Sequence, residues 1–134
     1  MSGPLLDRID IHIQLQPVRR EQLLGKKEAE PSSSIKKRVN DAREIQLTRF
    51  KRAKIFSNAG MSGRHIKKFC SLKTEAENLL RSAISELHLS ARAYYRILKI
   101  ARTIADLEKV SDIQSHHVSE ALQYRYLDRD LWRR

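Results

Sequence analysis

The chain has 134 residues, 40% hydrophobic and 32% charged, which leaves room for one ordinary globular domain and its core. Its formal charge is +11, spread as 13 basic against 7 acidic residues over positions 1–57, 10 against 5 over 58–109, and 4 against 4 over 110–134. Such an excess suits a phosphate-bearing or acidic partner, with a solvated Lys-rich surface as the alternative. The apolar runs fall far short of the ~20 residues that span a bilayer, and the start lacks the basic-then-apolar pattern of a signal peptide. No membrane partner and a cytoplasmic location are therefore expected.

SGPLLDRIDIHIQL opens the chain. Ile9, Ile11, Ile13 and Leu15 alternate with Asp10, His12 and Gln14, the period of a half-buried strand, and Pro17 ends it. No sheet-forming segments follow, so this strand is expected to be unpaired, loose or extended. Residues 18–31 turn to Arg, Lys, Glu, Gly and Pro and read as a flexible linker, with PSSS supplying a serine N-cap. Ile35, Val39, Ala42, Ile45 or Gln46, and Phe50 then recur at helical spacing, with Lys36, Lys37, Arg38, Arg43 and Arg49 largely on other faces. Those five cations are candidates for binding nucleic acid.

SNAGMS breaks the helix, and Ser62 stands ready to cap a short one running through Cys70. Thr74 and Glu77 have the spacing of a capping box for the next helix, to about Leu89, with Leu79, Leu80, Ala83, Ile84 and Leu87 as its buried stripe. Ser90 caps a long helix in which Tyr94, Ile97, Leu98, Ala101, Ile104 and Ala105 form an apolar arc. Arg92, Arg96, Lys99, Thr103 and Asp106 form the opposite, wet side. After SDIQ, Ser115 is placed to cap a last helix carrying Val118, Ala121 and Leu122 in register. The expected fold class is all-α, a small helical bundle of about five helices with an unpaired N-terminal strand.

The sequence contains no GxxxxGK[ST] phosphate loop, so this chain alone is not expected to hold a nucleotide. His12, His65, His88, His116 and His117 show no metal-ligand spacing, and adjacent His116 and His117 diverge by about 100° on a helix; structural or surface roles are expected and no metal. No grouping of Ser, His and Asp suggests a nucleophile. Cys70, the single cysteine, reads as a small buried hydrophobe in a reducing compartment.

Two arginines stand out. Arg92 lies in the first turn after Ser90, where a cation faces the positive end of the helix dipole. It becomes favourable there if an anion binds the free N–H groups and the guanidinium together, the alternative being a solvated arginine on a helix long enough to absorb the cost. Arg8 lies at the entry to the alternating stretch; it can project into a neighbouring subunit or pair on the surface with Asp7 or Asp10.

The segments SGPLLDRIDIHIQL, SSSIKKRV, AREIQLTRF, NAGMSGRHIKKFC, LHLSARAYYRILKIARTIADLE and HHVSEALQYRYLDR together resemble the C-terminal part of bacterial AAA+ ATPases related to the magnesium-chelatase ATPase subunit, the ComM-type or YifB-type proteins. The resemblance covers nearly the whole chain. It implies a remnant of the ATPase core over 1–17, a linker over 18–31 and a helical lid over 32–134. It also implies an arginine finger, acting in trans, at Arg8 in LLDR, and a sensor-2 arginine at Arg92 in LSAR. ATP and Mg2+ are the implied cofactors of the longer protein, a homo-hexamer and DNA its implied partners, and branch migration during natural transformation its implied work. A chelatase-like complex and a basic helical nucleic-acid-binding module are the rivals. Gly63 and Tyr95 depart from the polar residues expected at their positions, and LEKVSD replaces a glycine-containing LEG turn.

Overall fold

The computed structural model describes residues 8–25 and 28–130, without the side chains of 21, 22 and 126–130. Its helices are α1 (Arg20–Leu24), α2 (Ser32–Arg49), α3 (Gly63–Phe69), α4 (Thr74–Leu87), α5 (Ala91–Leu107) and α6 (Ser115–Asp130), with a 3-10 turn at Asn58–Gly60. Helices α2 to α6 form the expected all-α bundle, and no strand occurs among the described residues.

Helix α5 is the hub. It packs against α2, the 3-10 turn, α3 and α6, while α4 rests on α6. Its apolar arc supplies Ile97, Leu98, Ala101 and Ala105, all nearly inaccessible to solvent, and these meet Phe50, Ile66, Leu80, Ile113 and Val118 from the other segments. Each of the larger aliphatic side chains so buried contributes about 1.5–3 kcal/mol by leaving water. The loops before α4 and α6 are stitched together by Ile113 N–H donating to Ser71 O (3.1 Å) and Lys73 N–H donating to Ile113 O (3.0 Å).

A polar cluster sits inside this apolar frame. Asp106, expected on the wet face of α5, is 1% exposed, and its carboxylate accepts from Arg49, Arg102 and Asn58. Burial pushes the Arg102 guanidinium below its ordinary value, the adjacent Asp106 opposing this. Arg102 also donates to Val110 O (2.6 Å) and Ser111 O (2.5 Å), carbonyls just beyond the end of α5. Asn58 N–H donates to Gln46 Oε1 at 3.0 Å. The cluster thus fastens the end of α2, the 3-10 turn and the end of α5 together.

The helix starts differ from expectation in several places. Helix α2 begins at Ser32 with Pro31 at its N-cap, so the serines lie inside the first turn. Thr74 is the first residue of α4 rather than its cap; Lys73 holds that position and the capping box does not form. Ser115 is likewise already helical. Ser62 holds the N-cap of α3 as expected, its N–H donating to His65 Nδ1 (3.2 Å), while before α6 Gln114 N–H donates to His117 Nδ1 (2.9 Å). Ser90 behaves as expected, accepting from Ala93 N–H.

Helix α1 lies within the stretch expected to be a linker. In α2 only Ala42, Gln46 and the following Phe50 are buried, whereas Ile35 and Val39 are exposed. Leu79 also faces solvent, because α4 buries only Ala76, Leu80 and Ala83. The turn after α5 explains the missing glycine: Lys109 stands where LEG has Gly and adopts φ 61°, the left-handed region.

Candidate functional site

Arg92 is exposed in the first turn of α5, two residues beyond the Ser90 cap. The cap leaves the start of α5 well formed, so its dipole and the guanidinium lie at one end of the bundle's central helix. Beside it, between α4 and α5, lies a cleft of about 430 Å3 walled by Leu80, Ile84, Leu89, Ser90 and Tyr94.

Arg8 is exposed in a turn at the other sequence extreme. The residues after it do not form a strand, yet they are not detached from the bundle. Asp10 pairs with Arg96 Nε at 3.0 Å, and His12 N–H donates to Tyr124 O at 2.9 Å. Ile11 and Ile13 line a mostly apolar groove with Ile100, Ile104, Leu107 and Tyr124. Arg96 is one turn along α5 from Arg92, so the segment that follows Arg8 is docked on the helix that carries the second arginine.

The basic residues of α2 divide into three kinds. Lys36 and Arg43 are exposed on the helix surface. Lys37 and Arg38 are exposed but already paired, with Asp41 and Glu30 respectively. Lys109, and then Lys37, hold the Asp41 carboxyl below its usual range by hydrogen bonding to it. Arg49 does not join the solvated face at all: its side chain is 13% exposed and its guanidinium is taken by Asp106 and Asn58.

Glu108, His116 and His117 bring ligand-type atoms within 4.8 Å of one another among the described residues. The 100° divergence of the two histidines is overcome because Glu108 sits between them, 2.9 Å from each Nε2. His117 Nδ1 accepts from Gln114 N–H, which puts the neutral ring's proton on Nε2, where it donates to Glu108. A metal on that Nε2 would need the proton on Nδ1, facing another N–H. The arrangement suits a clasp between the end of α5 and the start of α6. Hydrogen bonding from His116, then from His117, holds the Glu108 carboxyl below its ordinary range. Cys70 is buried, and desolvation pushes its thiol up to about 11.

The described residues thus form a small helical bundle around a capped central helix, with Arg92 exposed in that helix's first turn. The chain belongs to the family described as magnesium chelatase, subunit ChlI C-terminal, whose model matches residues 29–125. It is 40% identical over 131 residues to the uncharacterized protein YifB of Salmonella typhimurium and 38% identical to that of Escherichia coli. It is also 40% identical over 131 residues to the competence protein ComM of Haemophilus influenzae. In each case the match takes in 96% of this chain and 25% of the relative, so the chain spans about a quarter of the length of these relatives.

The sequence missed Asp106 and Arg102 as a pair. Their i, i+4 spacing was a legible signal, but an exposed pair has the same spacing.

Proposed function

We propose that this chain is the helical lid of an AAA+ ATPase whose longer form assembles as a cytoplasmic homo-hexamer. The observation that carries the reading is the position of Arg92, exposed in the first turn of a helix capped by Ser90, within a chain of the magnesium-chelatase C-terminal family. In this role the Arg92 guanidinium and the start of α5 together contact the terminal phosphate of ATP. Loss of that charge-assisted contact on hydrolysis frees the lid to change its angle. Arg8 acts from a neighbouring subunit on the charge that develops during phosphoryl transfer.

The residues fit ATP as a contact partner rather than as a complete site. The chain offers two arginines but no GxxxxGK[ST] loop, so ATP and Mg2+ belong to the longer protein. Mg2+ would supply charge neutralisation at the phosphates, and this chain's own contribution would be to bind and orient them through Arg92 and Arg8.

For the longer protein we infer a DNA motor promoting branch migration in natural transformation, supported by the similarity to a competence protein. The family description favours, as a second reading, a chelatase-like ATPase subunit. In the full-length protein, Arg92→Ala is expected to cut ATPase turnover with the hexamer intact, and unchanged turnover refutes the sensor role. Mixing Arg8→Ala subunits with phosphate-loop mutants should restore some active interfaces if Arg8 acts in trans; no recovery at any ratio refutes that. DNA should stimulate the ATPase, and no response to any DNA structure selects the chelatase-like reading.

A further inference from the structure

We propose that a basic groove between the end of α2 and α3 binds the backbone of single-stranded DNA. The groove encloses about 730 Å3 and carries Lys51, Arg52, Lys54, Arg64 and Lys68 on its walls, with Phe69 beside them. No Asp or Glu lines it. Lys51, Arg52, Lys54 and Arg64 are exposed and have no carboxylate within ion-pair distance among the described residues. Two of the exposed cations of α2 differ in this respect, since Lys37 and Arg38 already have acidic partners.

Chain geometry concentrates these charges. Helix α2 ends at Arg49, and the turn that follows carries FKRAK back beside the GRHIKK of α3. Two separate basic stretches therefore face one concavity, while Arg49 at its rear is held by Asp106. Five cations around one groove repel each other in the free protein, and a row of phosphates relieves that repulsion while releasing counterions. A concave channel follows one strand better than it accepts the convex face of a duplex.

Phe56 adds the second element. It follows the groove residue Ile55, is 71% exposed, and contributes nothing to the core. Phe56 does not line the groove itself, but an exposed ring one residue along the chain from it offers a platform on which an unpaired base can stack. The choice of DNA over RNA rests on the DNA-motor reading above; the groove's charge and the ring do not.

The test is binding of a fluorescein-labelled oligothymidylate to the 134-residue chain across a salt series. With five phosphate contacts, affinity should fall about 100-fold between 50 and 200 mM salt. Lys51→Glu combined with Arg64→Glu should weaken binding by about tenfold or more and flatten the log-log slope by about 1.4. Phe56→Ala should weaken binding about fivefold with the slope unchanged. Arg81→Glu, in a Glu77 pair on α4, is the charge control and should have a much smaller effect. All four side chains are exposed, so melting temperatures should stay near wild type.

Wild-type binding by the groove reversal overturns the proposal, as does an equal loss in Arg81→Glu. A larger loss from Lys36→Glu with Arg43→Glu also overturns it, moving the site to the face of α2. Preference for duplex DNA or for RNA of the same length overturns the assignment to single-stranded DNA. If the groove binds DNA but the full-length ATPase ignores DNA, the motor reading fails and the groove stands; if DNA stimulates the ATPase and the groove reversal binds as wild type, the reverse holds.

Discussion

Asp106→Asn isolates the most consequential polar interaction in the bundle. The carboxylate is fully covered and accepts from two guanidinium groups and one amide. Asparagine keeps the volume but removes the charge and replaces one acceptor oxygen with a donor that points at an arginine. Arg102, with 2% of its side chain exposed, cannot reach water, although its bonds to Val110 O and Ser111 O persist. Breaking a buried pair by removing one partner costs about 3–5 kcal/mol. For a domain of this size that corresponds to a fall in Tm of about 15–25 °C. Arg49→Met should cost much less, about 1–2 kcal/mol, because Asp106 keeps Arg102 and Asn58. The two effects should not add, since both remove the same contact. Urea denaturation at constant m measures the two single variants and the double variant. A cost below about 1 kcal/mol for Asp106→Asn would refute the view that this carboxylate holds α2 to α5.

Four further outcomes follow from the same contacts. Arg49→Met should lower stability while leaving the salt slope of DNA binding within about 0.3 of wild type, because its guanidinium is committed to Asp106; a drop of about 0.7 would make it a phosphate contact. The Cys70 thiol should resist a thiol reagent at pH 8 in the folded protein and react at once in denaturant, and fast native-state labelling would contradict its burial. Because Glu108 is depressed in the folded state, its contribution is present above its unfolded value of about 4.3 and is lost as pH falls through the lower folded value. The Tm gap between wild type and Glu108→Gln should therefore close at acid pH, and a gap independent of pH between 6 and 2.5 would remove the histidine clasp. Lys109→Gly relieves a left-handed lysine at a cost of one exposed pair with Asp41, and should raise stability by up to about 1 kcal/mol, whereas Lys109→Ala should lower it slightly.

The helix count, the apolar arc of α5 and the Ser90 cap were legible because each depends on spacing along one segment. The same local reading failed at α2, where the Ile35 and Val39 spacing is helical but no neighbouring segment covers those side chains. It also failed for the caps of α4 and α6, since Thr and Ser at the right offset do not decide which residue starts the helix. For the candidate site, the sequence placed Arg92 at a helix start, and the structure agrees. That Asp10 ties the Arg8 segment to α5 required knowing that residues 10 and 96 meet.

By itself the sequence determined an all-α chain, a strong basic excess and the order of its helices, because composition and period are properties of the chain alone. Tertiary structure decided which charges are spent and which are available. Arg49 and Lys51 are two residues apart and look alike in sequence, yet one is neutralised by a buried aspartate from α5 and the other faces an acid-free groove. The physical reason is that an ion pair depends on distance through space and on exclusion of water, and neither is written in the spacing of residues.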